Sequence, residues 1–375
     1  MKKVLAVTLM LSIIIMALSG CVREKPASEI YKEAAEEKAS QAVNEAASDK
    51  GTKTDRPIKI CHSGIFLSHE FQQRMIKGME YYCNTHGYDL TVADSKNDIA
   101  KQISDIESFI TSGADIITLK PVDVNGMDDV VAKCNAAGIP VIVQGDVIKG
   151  MTATAALNHT LNGGLIAQYV YDYFRKTGEK PVILSVDLPE MPTIGELETG
   201  FLNKLDELGL DYDLYKVNGK GMLETSLQQA QDALTAHPDI NCVFGINDDS
   251  VFGAYQAFST AGIDTDKVLF VSQGIEGNAA GKAIMEDGVN FAACAIFPEY
   301  YAINFMSTAV AAYKGEPYEY YAWYQSFMVD KSNYSTYYTR DENGDYVANM
   351  ETIIPAIEES TRKAKSLYPD YTPAG

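Results

Sequence analysis

The sequence predicts an α/β chain with two doubly wound, parallel-sheet lobes. Three observations predict it. Apolar runs of strand length alternate with longer segments of helical period. Each apolar run stops at a polar tip, as buried parallel strands do. The ladder is also laid down twice, with a small-residue stretch at 152–156 between the two passes. The stretch from Val243 to Gly262 shows the unit most plainly. Cys242, Val243 and Phe244 end at Gly245, and Asn247, Asp248 and Asp249 follow. A helix face of Val251, Ala254, Tyr255, Phe258 and Ala261 then runs to Gly262. In open parallel sheets ligands bind outside the carboxyl ends of the strands, so Asn247 stands where a ligand would be held.

Taken in order, the first segment lies outside the fold. Lys2 and Lys3 precede an apolar run over 4–18, and Leu18-Ser19-Gly20-Cys21 follows. A charged start, an apolar core and small residues before a cut read as a secretory signal over 1–21. The apolar part is short for a membrane span. The Leu-Ser-Gly-Cys ending resembles a bacterial lipobox, which makes Cys21 the expected lipidation site and the new N-terminus. Residues 22–56 are rich in Glu, Ala, Lys, Ser and Asp, with Tyr31 the lone aromatic. That composition cannot bury a core and predicts a solvated acidic tether.

The globular part begins at Pro57. Strands are expected at 58–63, 88–93, 115–119 and 139–143. Between them lie helix faces of Phe71, Met75, Met79 and Tyr82, then Ile99, Ile103, Ile106 and Ile110, then Met127, Val130, Val131 and Cys134. Gly138 is a natural stop for the third helix. The second pass expects strands at 182–186, 212–217, 268–271 and 290–296 besides the one at 243, with helices over 194–208, 223–236 and 277–287. Pro298 breaks the last of these strands, and a helix follows over 300–313. A surface helix is expected over 354–366.

Composition narrows the function classes. The chain has 375 residues, enough for two ordinary domains, and its net charge of −20 opposes a nucleic-acid or anionic-lipid surface. No GxSxG, HExxH, P-loop or GxGxxG motif is present. His62, His69, His86, His159 and His237 lie far apart without ligand spacing, and no CxxC occurs. The expectation is therefore no enzyme, no metal and no cofactor. With Cys21 spent, Cys61, Cys83, Cys134, Cys242 and Cys294 number five, so they cannot all pair. Free core thiols are expected.

Several segments together resemble the sugar-type periplasmic binding proteins, relatives of the ribose-binding protein. These are the Asn247-Asp248 segment running through Gly253-Ala254 to Ala261-Gly262, the Gly113-Ala114-Asp115-Ile116-Ile117 run, Lys120-Pro121 with Asp123, and Ala136-Ala137-Gly138-Ile139-Pro140-Val141-Ile142. The resemblance covers roughly 57–331. It implies the type I periplasmic binding fold, with three chain crossings forming a hinge. The implied lobes are 57–157 plus 297–322 and 158–296 plus 323–340, leaving 341–375 as a C-terminal extension. It further implies a solute-binding lipoprotein of an ABC importer, anchored outside the cell membrane, monomeric, with a sugar or sugar-like ligand and permease subunits as partners. Alternatives are a ligand-sensing module for a membrane kinase or receptor, which neighbouring genes would separate, and a non-sugar solute such as a nucleoside. A repressor of the same bilobed fold is opposed by the signal, the tether and the lack of a basic helix-turn-helix before Pro57.

A sugar needs planar polar groups for its hydroxyls and aromatic faces for its C–H surfaces. The resemblance places a ligand-binding amide at Asn247, whose rival role is helix capping. It places a ligand carboxylate at Glu276, whose rival role is a first-turn acid. Gln144 and Asp146 occupy the fourth strand tip, where relatives carry Asp-Arg. Phe71 starts the first helix where relatives place rings over the sugar, although it is also in core register with Met75. Ser68 and His69 precede it on a cleft-facing loop, and His159 lies near the hinge. Glu196, near a cleft Arg of relatives, reads instead as half of a capping box with Thr193. Asp123 reads as the cap of the third helix. Both cleft arginines of ribose-like sites are missing, and Ile296 stands where a Gln is usual. A different pentose, a hexose, a polyol or a nucleoside is therefore the expected cargo.

Overall fold

The structure, a computed structural model, describes residues 56–369 except Glu276, and leaves out the side chains of Pro192 and Thr193. The expected signal with Cys21, nearly all of the tether, Glu276 and the last six residues lie outside what it describes.

In the first lobe the chain runs β1 (Lys59–Gly64), α1 (Glu70–His86), β2 (Asp89–Asp94), α2 (Ile99–Thr111), β3 (Ile116–Leu119), α3 (Asp128–Ala136), β4 (Val141–Gln144) and β5 (Ala153–Leu157). It then crosses into α4 (His159–Thr177), β6 (Val182–Asp187), α5 (Pro192–Glu207), β7 (Asp213–Asn218), α6 (Leu223–Ala236), β8 (Cys242–Gly245), α7 (Asp248–Thr260), β9 (Leu269–Gly274), α8 (Asn278–Met285) and β10 (Phe291–Ala295). Helix α9 (Pro298–Lys314) and strand β11 (Tyr321–Tyr324) return to the first lobe, and β12 (Phe327–Asp330) joins the second. The chain closes with α10 (Tyr334–Tyr337), the hairpin of β13 (Tyr338–Arg340) and β14 (Tyr346–Ala348), and α11 (Met350–Leu367).

Strand order is β11-β5-β4-β3-β1-β2 in one sheet and β12-β10-β9-β8-β6-β7 in the other. The first sheet is parallel throughout, and in the second only β12 runs antiparallel, against β10. This is the two-lobed, doubly wound α/β architecture that the apolar runs predict. Strands β3, β4, β5, β8, β9 and β10 are buried along their whole length because helices cover both sheet faces. Local signals start and end the helices. The Asp98 side chain accepts from Lys101 N at 3.0 Å to start α2, and Gly87 and Gly178 take left-handed φ of 69° and 77° to stop α1 and α4.

The chain crosses between sheets at Leu157–His159, Ala295–Pro298 and Tyr324–Phe327. The last crossing is made by two strands, one in each sheet, parted at Gln325-Ser326. Side chains tie the second and third crossings together. The Tyr324 hydroxyl donates to the Ile296 carbonyl, and the Ser326 hydroxyl donates to that of Ala295. One apolar cluster runs through both lobes and the hinge, from Ile60 and Met75 to Phe270, Phe297 and Tyr324. Two further clusters fill the outer layer of each lobe. The five described cysteines are all buried and unpaired.

The tail is more deeply embedded than a surface helix. Helix α11 begins at Met350 rather than 354, because Asn349 rather than Ile354 closes the preceding turn, and it buries Ile353, Ile357 and Ala364. The hairpin sits on α8, with Tyr346 N donating to Asn278 Oδ1 at 2.9 Å and Arg340 paired with Glu286 at 2.5 Å. At its far end Lys365 pairs with Glu319 at 2.6 Å and lies over the Trp323 ring.

Candidate functional site

The strand tips of the two sheets meet across the hinge, and the site assembles from there. In the first lobe α1 starts at Glu70, and its first turn presses against the second lobe. A Cβ placed on Gly277, just before α8, would lie 2.9 Å from Glu70 Oε1. Phe71, in the same turn, is half-buried and sets its ring edge-on to Tyr301 at 6.1 Å. Tyr301, at the start of α9, is buried and donates its hydroxyl to the Ala155 carbonyl at 2.6 Å. Burial raises its pKa, and the nearby Asp146 carboxylate adds to that rise.

Asp146 forms an ion pair with Lys120, so the tips of β3 and β4 are joined by opposite charges, both mostly shielded from water. The next group along is His159, the first residue of α4, which meets Gln273 Oε1 through Nδ1 at 3.2 Å. Burial pushes the His159 pKa down to about 4, partly offset by that bond. The Lys120 charge lowers it further and Asp146 raises it. Phe71, Asp146 and His159 are thus brought together by Tyr301, Lys120 and Gln273. Gln144, at the end of β4, is 4% exposed and carries a buried Oε1 without a hydrogen-bond partner.

The remaining expected residues are arranged differently. Asn247 lies one strand over from β9, as the N-cap of α7. Its Oδ1 accepts from Ser250 N at 2.9 Å, and its Nδ2 donates to the Gly221 carbonyl at 3.0 Å. Capping is therefore a role it fills. An amide has two donors and two lone pairs, so one of each remains on a side chain the cap already holds still. His69 is the N-cap residue of α1, exposed and without a side-chain bond to the helix, and Ser68 beside it is exposed too. Glu276 falls outside the described residues.

Two capping expectations are corrected. Asp123 caps the short 3₁₀ turn Val124–Gly126, accepting from Asn125 N at 2.9 Å, while Met127 precedes α3. The Thr193–Glu196 capping box does not form. Pro192 occupies the first helical position of α5 and Met191 the cap, so Thr193 lies inside the helix. Glu196 is instead half-buried beside Thr160, and burial lifts its carboxyl pKa to about 7 against a hydrogen bond from Thr160 that lowers it.

That lift has a testable sign. A carboxyl that ionises near 7 when folded and near 4.5 when unfolded holds a proton in between that the unfolded chain has lost. Its contribution is full below about 4.5 and is lost as pH rises to about 7. Glu196→Gln should therefore match the parent in melting temperature near pH 4.5 and exceed it at pH 8. A constant difference at both pH values would refute the lift.

Lys120, Tyr301 and Gln273 were not singled out by sequence reasoning. Lys120 was legible, since a lysine ending a buried strand beside an acidic tip invites pairing. Among the described residues no group of His, Cys, Asp and Glu is arranged to hold a metal, and no helix is long and apolar enough to cross a membrane.

The model of the periplasmic binding protein domain family matches residues 60–317. The ribose import binding protein RbsB of Escherichia coli (strain K12) is 28% identical over 261 residues, covering 67% of this chain and 83% of that protein. A xylitol-binding protein of Mycolicibacterium smegmatis is 25% identical over 221 residues, covering 57% of this chain and 58% of that one. Among solved structures, an ABC transporter periplasmic solute-binding protein from Actinobacillus succinogenes 130z with bound D-allose aligns with a TM-score of 0.67 at 20% identity, covering 74% of this chain and 100% of that one. A solute-binding protein from Bacillus halodurans C-125 with bound myo-inositol aligns with a TM-score of 0.66 at 22% identity, covering 76% and 99%.

Proposed function

The chain belongs to the periplasmic binding protein family, and from that premise we propose that it is the solute-binding lipoprotein of an ABC importer for a sugar or polyol. In this reading it is exported, cleaved and lipidated at Cys21, and held off the membrane by the tether over 22–56. It acts as a monomer whose lobes rotate about the three crossings to close on the ligand. The closed form docks on membrane permease subunits.

One observation carries the reading. The inter-lobe set offers an aromatic wall (Phe71 on Tyr301) beside hydroxyl-binding groups (Asp146, Gln144 and His159). A sugar demands that pairing of surfaces. The relatives named for ribose and xylitol support it. Asn247 is proposed as a further contact through the capacity its cap leaves open, and Glu276, Ser68 and His69 as further contacts.

The test is a thermal-shift screen of the mature chain against D-ribose, D-allose, xylitol, myo-inositol and nucleosides. A ligand at a hundred times its Kd stabilises by about 2.7 kcal/mol. A shift with a nucleoside and none with any sugar or polyol would overturn the cargo. Asn247→Ala should lose the ligand shift while costing about 1 kcal/mol of stability through the lost cap. A cap-sized cost with the ligand shift intact would leave Asn247 a cap alone.

A further inference from the structure

Four side chains from three elements make a single hydrogen-bonded line through the hinge. Gln325 sits between β11 and β12, Asn162 and His159 on α4, and Gln273 on β9; the three amides are almost wholly buried. Gln325 Nε2 lies 3.2 Å from the Ser326 carbonyl and 2.6 Å from Asn162 Oδ1. Asn162 Nδ2 lies 2.8 Å from Gln273 Oε1, and the same oxygen meets His159 Nδ1 at 3.2 Å.

The sense of every bond follows from one end. A backbone carbonyl only accepts, so the Gln325 atom beside Ser326 O is its NH₂. Asn162 must then turn its oxygen to Gln325 and its NH₂ to Gln273. Gln273 receives with its oxygen, so His159 must donate from Nδ1. Reversing the line would set two carbonyl oxygens against each other at the Ser326 end. A neutral imidazole that carries its proton on Nδ1 keeps a lone pair on Nε2. That lone pair is not among the buried, unpartnered atoms, and the residue keeps some exposed surface beside the Lys120–Asp146 pair.

We propose that this amide line locks His159 in the Nδ1–H tautomer so that Nε2 accepts a hydrogen bond from a ligand hydroxyl, which makes the site selective for a neutral, polyhydroxylated ligand. The proposal rests on the sugar or polyol reading above and adds the chemistry of selection to it. The neighbouring groups agree in character, since the Asp146 carboxylate and the orphaned Gln144 Oε1 are acceptors as well. Three acceptors call for a ligand with several O–H donors, and Lys120 is already engaged by Asp146, so a carboxylate on the ligand gains no cation from that pair. Asn162, Gln273 and Gln325 are positioning residues, and His159 is the contact.

Two substitutions that each add one negative charge separate the lock from simple electrostatics. Gln273→Glu accepts from both Asn162 and His159 and leaves the sense of the line intact. Asn162→Asp cannot donate, so Gln273 must turn its NH₂ inward and His159 must carry its proton on Nε2. Long-range ¹H–¹⁵N spectra of the mature chain at neutral pH read the tautomer directly. Nδ1–H is expected in the parent and in Gln273→Glu, and Nε2–H in Asn162→Asp. With D-ribose, D-allose, xylitol and myo-inositol as probes, affinity should fall at least tenfold in Asn162→Asp and stay within about threefold in Gln273→Glu. An Nε2–H signal in the parent, or equal losses in the two variants, would overturn the lock. If no probe binds the parent, the sugar or polyol reading itself fails, and the selectivity with it. Should Asn162→Asp not fold, His159→Phe keeps the ring and removes the acceptor, and unchanged affinity there refutes the contact.

Discussion

Gly163→Ala should destabilise the chain by about 3 kcal/mol or more, near the upper end of what overpacking costs, while Gly164→Ala beside it should be neutral or slightly stabilising. The two glycines share a helix but not a surroundings. A Cβ on Gly163 would lie 2.1 Å from the Leu197 carbonyl oxygen and 2.6 Å from Phe201 N, and one on Gly200 would lie 2.1 Å from the Thr160 carbonyl oxygen. Helices α4 and α5 therefore cross backbone against backbone, and no rotamer change can make room. Separation of the helices would loosen Leu197, Phe201 and Leu205, all fully buried. A Cβ on Gly164 meets nothing nearer than Lys204 at 4.0 Å, so there alanine brings only its gain in helix propensity. The first turn of α4 carries His159, and Glu196 of α5 leans on Thr160, so Gly163→Ala should weaken ligand binding too. Denaturant titration of both variants decides the point, and equal midpoints for them would refute the close crossing.

The fold was legible because its strands are buried on both faces. A run such as Val141–Gln144 can be nothing but apolar up to its tip, and the tip is where helix coverage ends. The candidate site was legible only where a residue's place follows from its own strand or helix start. Asp146, Gln144, Phe71 and His159 sit at tips or helix starts and could be named. Tyr301, Gln273 and Gln325 come from distant segments and read locally as core or hinge, so the meeting of Tyr301 with Phe71, of Gln273 with His159 and of Gln325 with Asn162 is a product of the three crossings. Glu196 was misread for a local reason. Pro192 is the better mark of a helix start, since a missing N–H costs nothing at the first position. Weighing it above Thr193 moves the cap to Met191 and frees Glu196 for another role. The tail was the least legible part, because Tyr334 and Tyr338 pack against residues far away in sequence and follow no helical or strand period of their own.

The second of those tail residues sets the other large effect. Tyr338 is buried, stacks on Tyr334 at 4.5 Å and Phe297 at 5.7 Å, and donates its hydroxyl to the Ile275 carbonyl at 3.0 Å. Ile275 has φ of +59°, a conformation that a β-branched residue adopts only under constraint. The constraint comes from both sides. Asp248 Oδ1 accepts from Ile275 N at 3.0 Å while Tyr338 holds the carbonyl. Gly274 admits the carboxylate because a Cβ there would lie 1.9 Å from Asp248 Oδ1. Tyr338→Ala removes the ring and the clamp together and should cost about 3–5 kcal/mol, as large aromatic deletions in cores do. Tyr338→Phe keeps the ring and leaves the Ile275 carbonyl without its donor, which should cost about 1–3 kcal/mol. The strain at Ile275 then has one restraint fewer, and the end of β9 loosens. Ligand affinity should therefore fall in Tyr338→Phe by more than its modest stability loss explains at a temperature where the protein remains folded. Full affinity in that variant would mean that the tail only covers the core. A loss would make the Tyr338 strand part of what shapes the cleft, holding the end of β9 in a conformation that its own residues do not maintain.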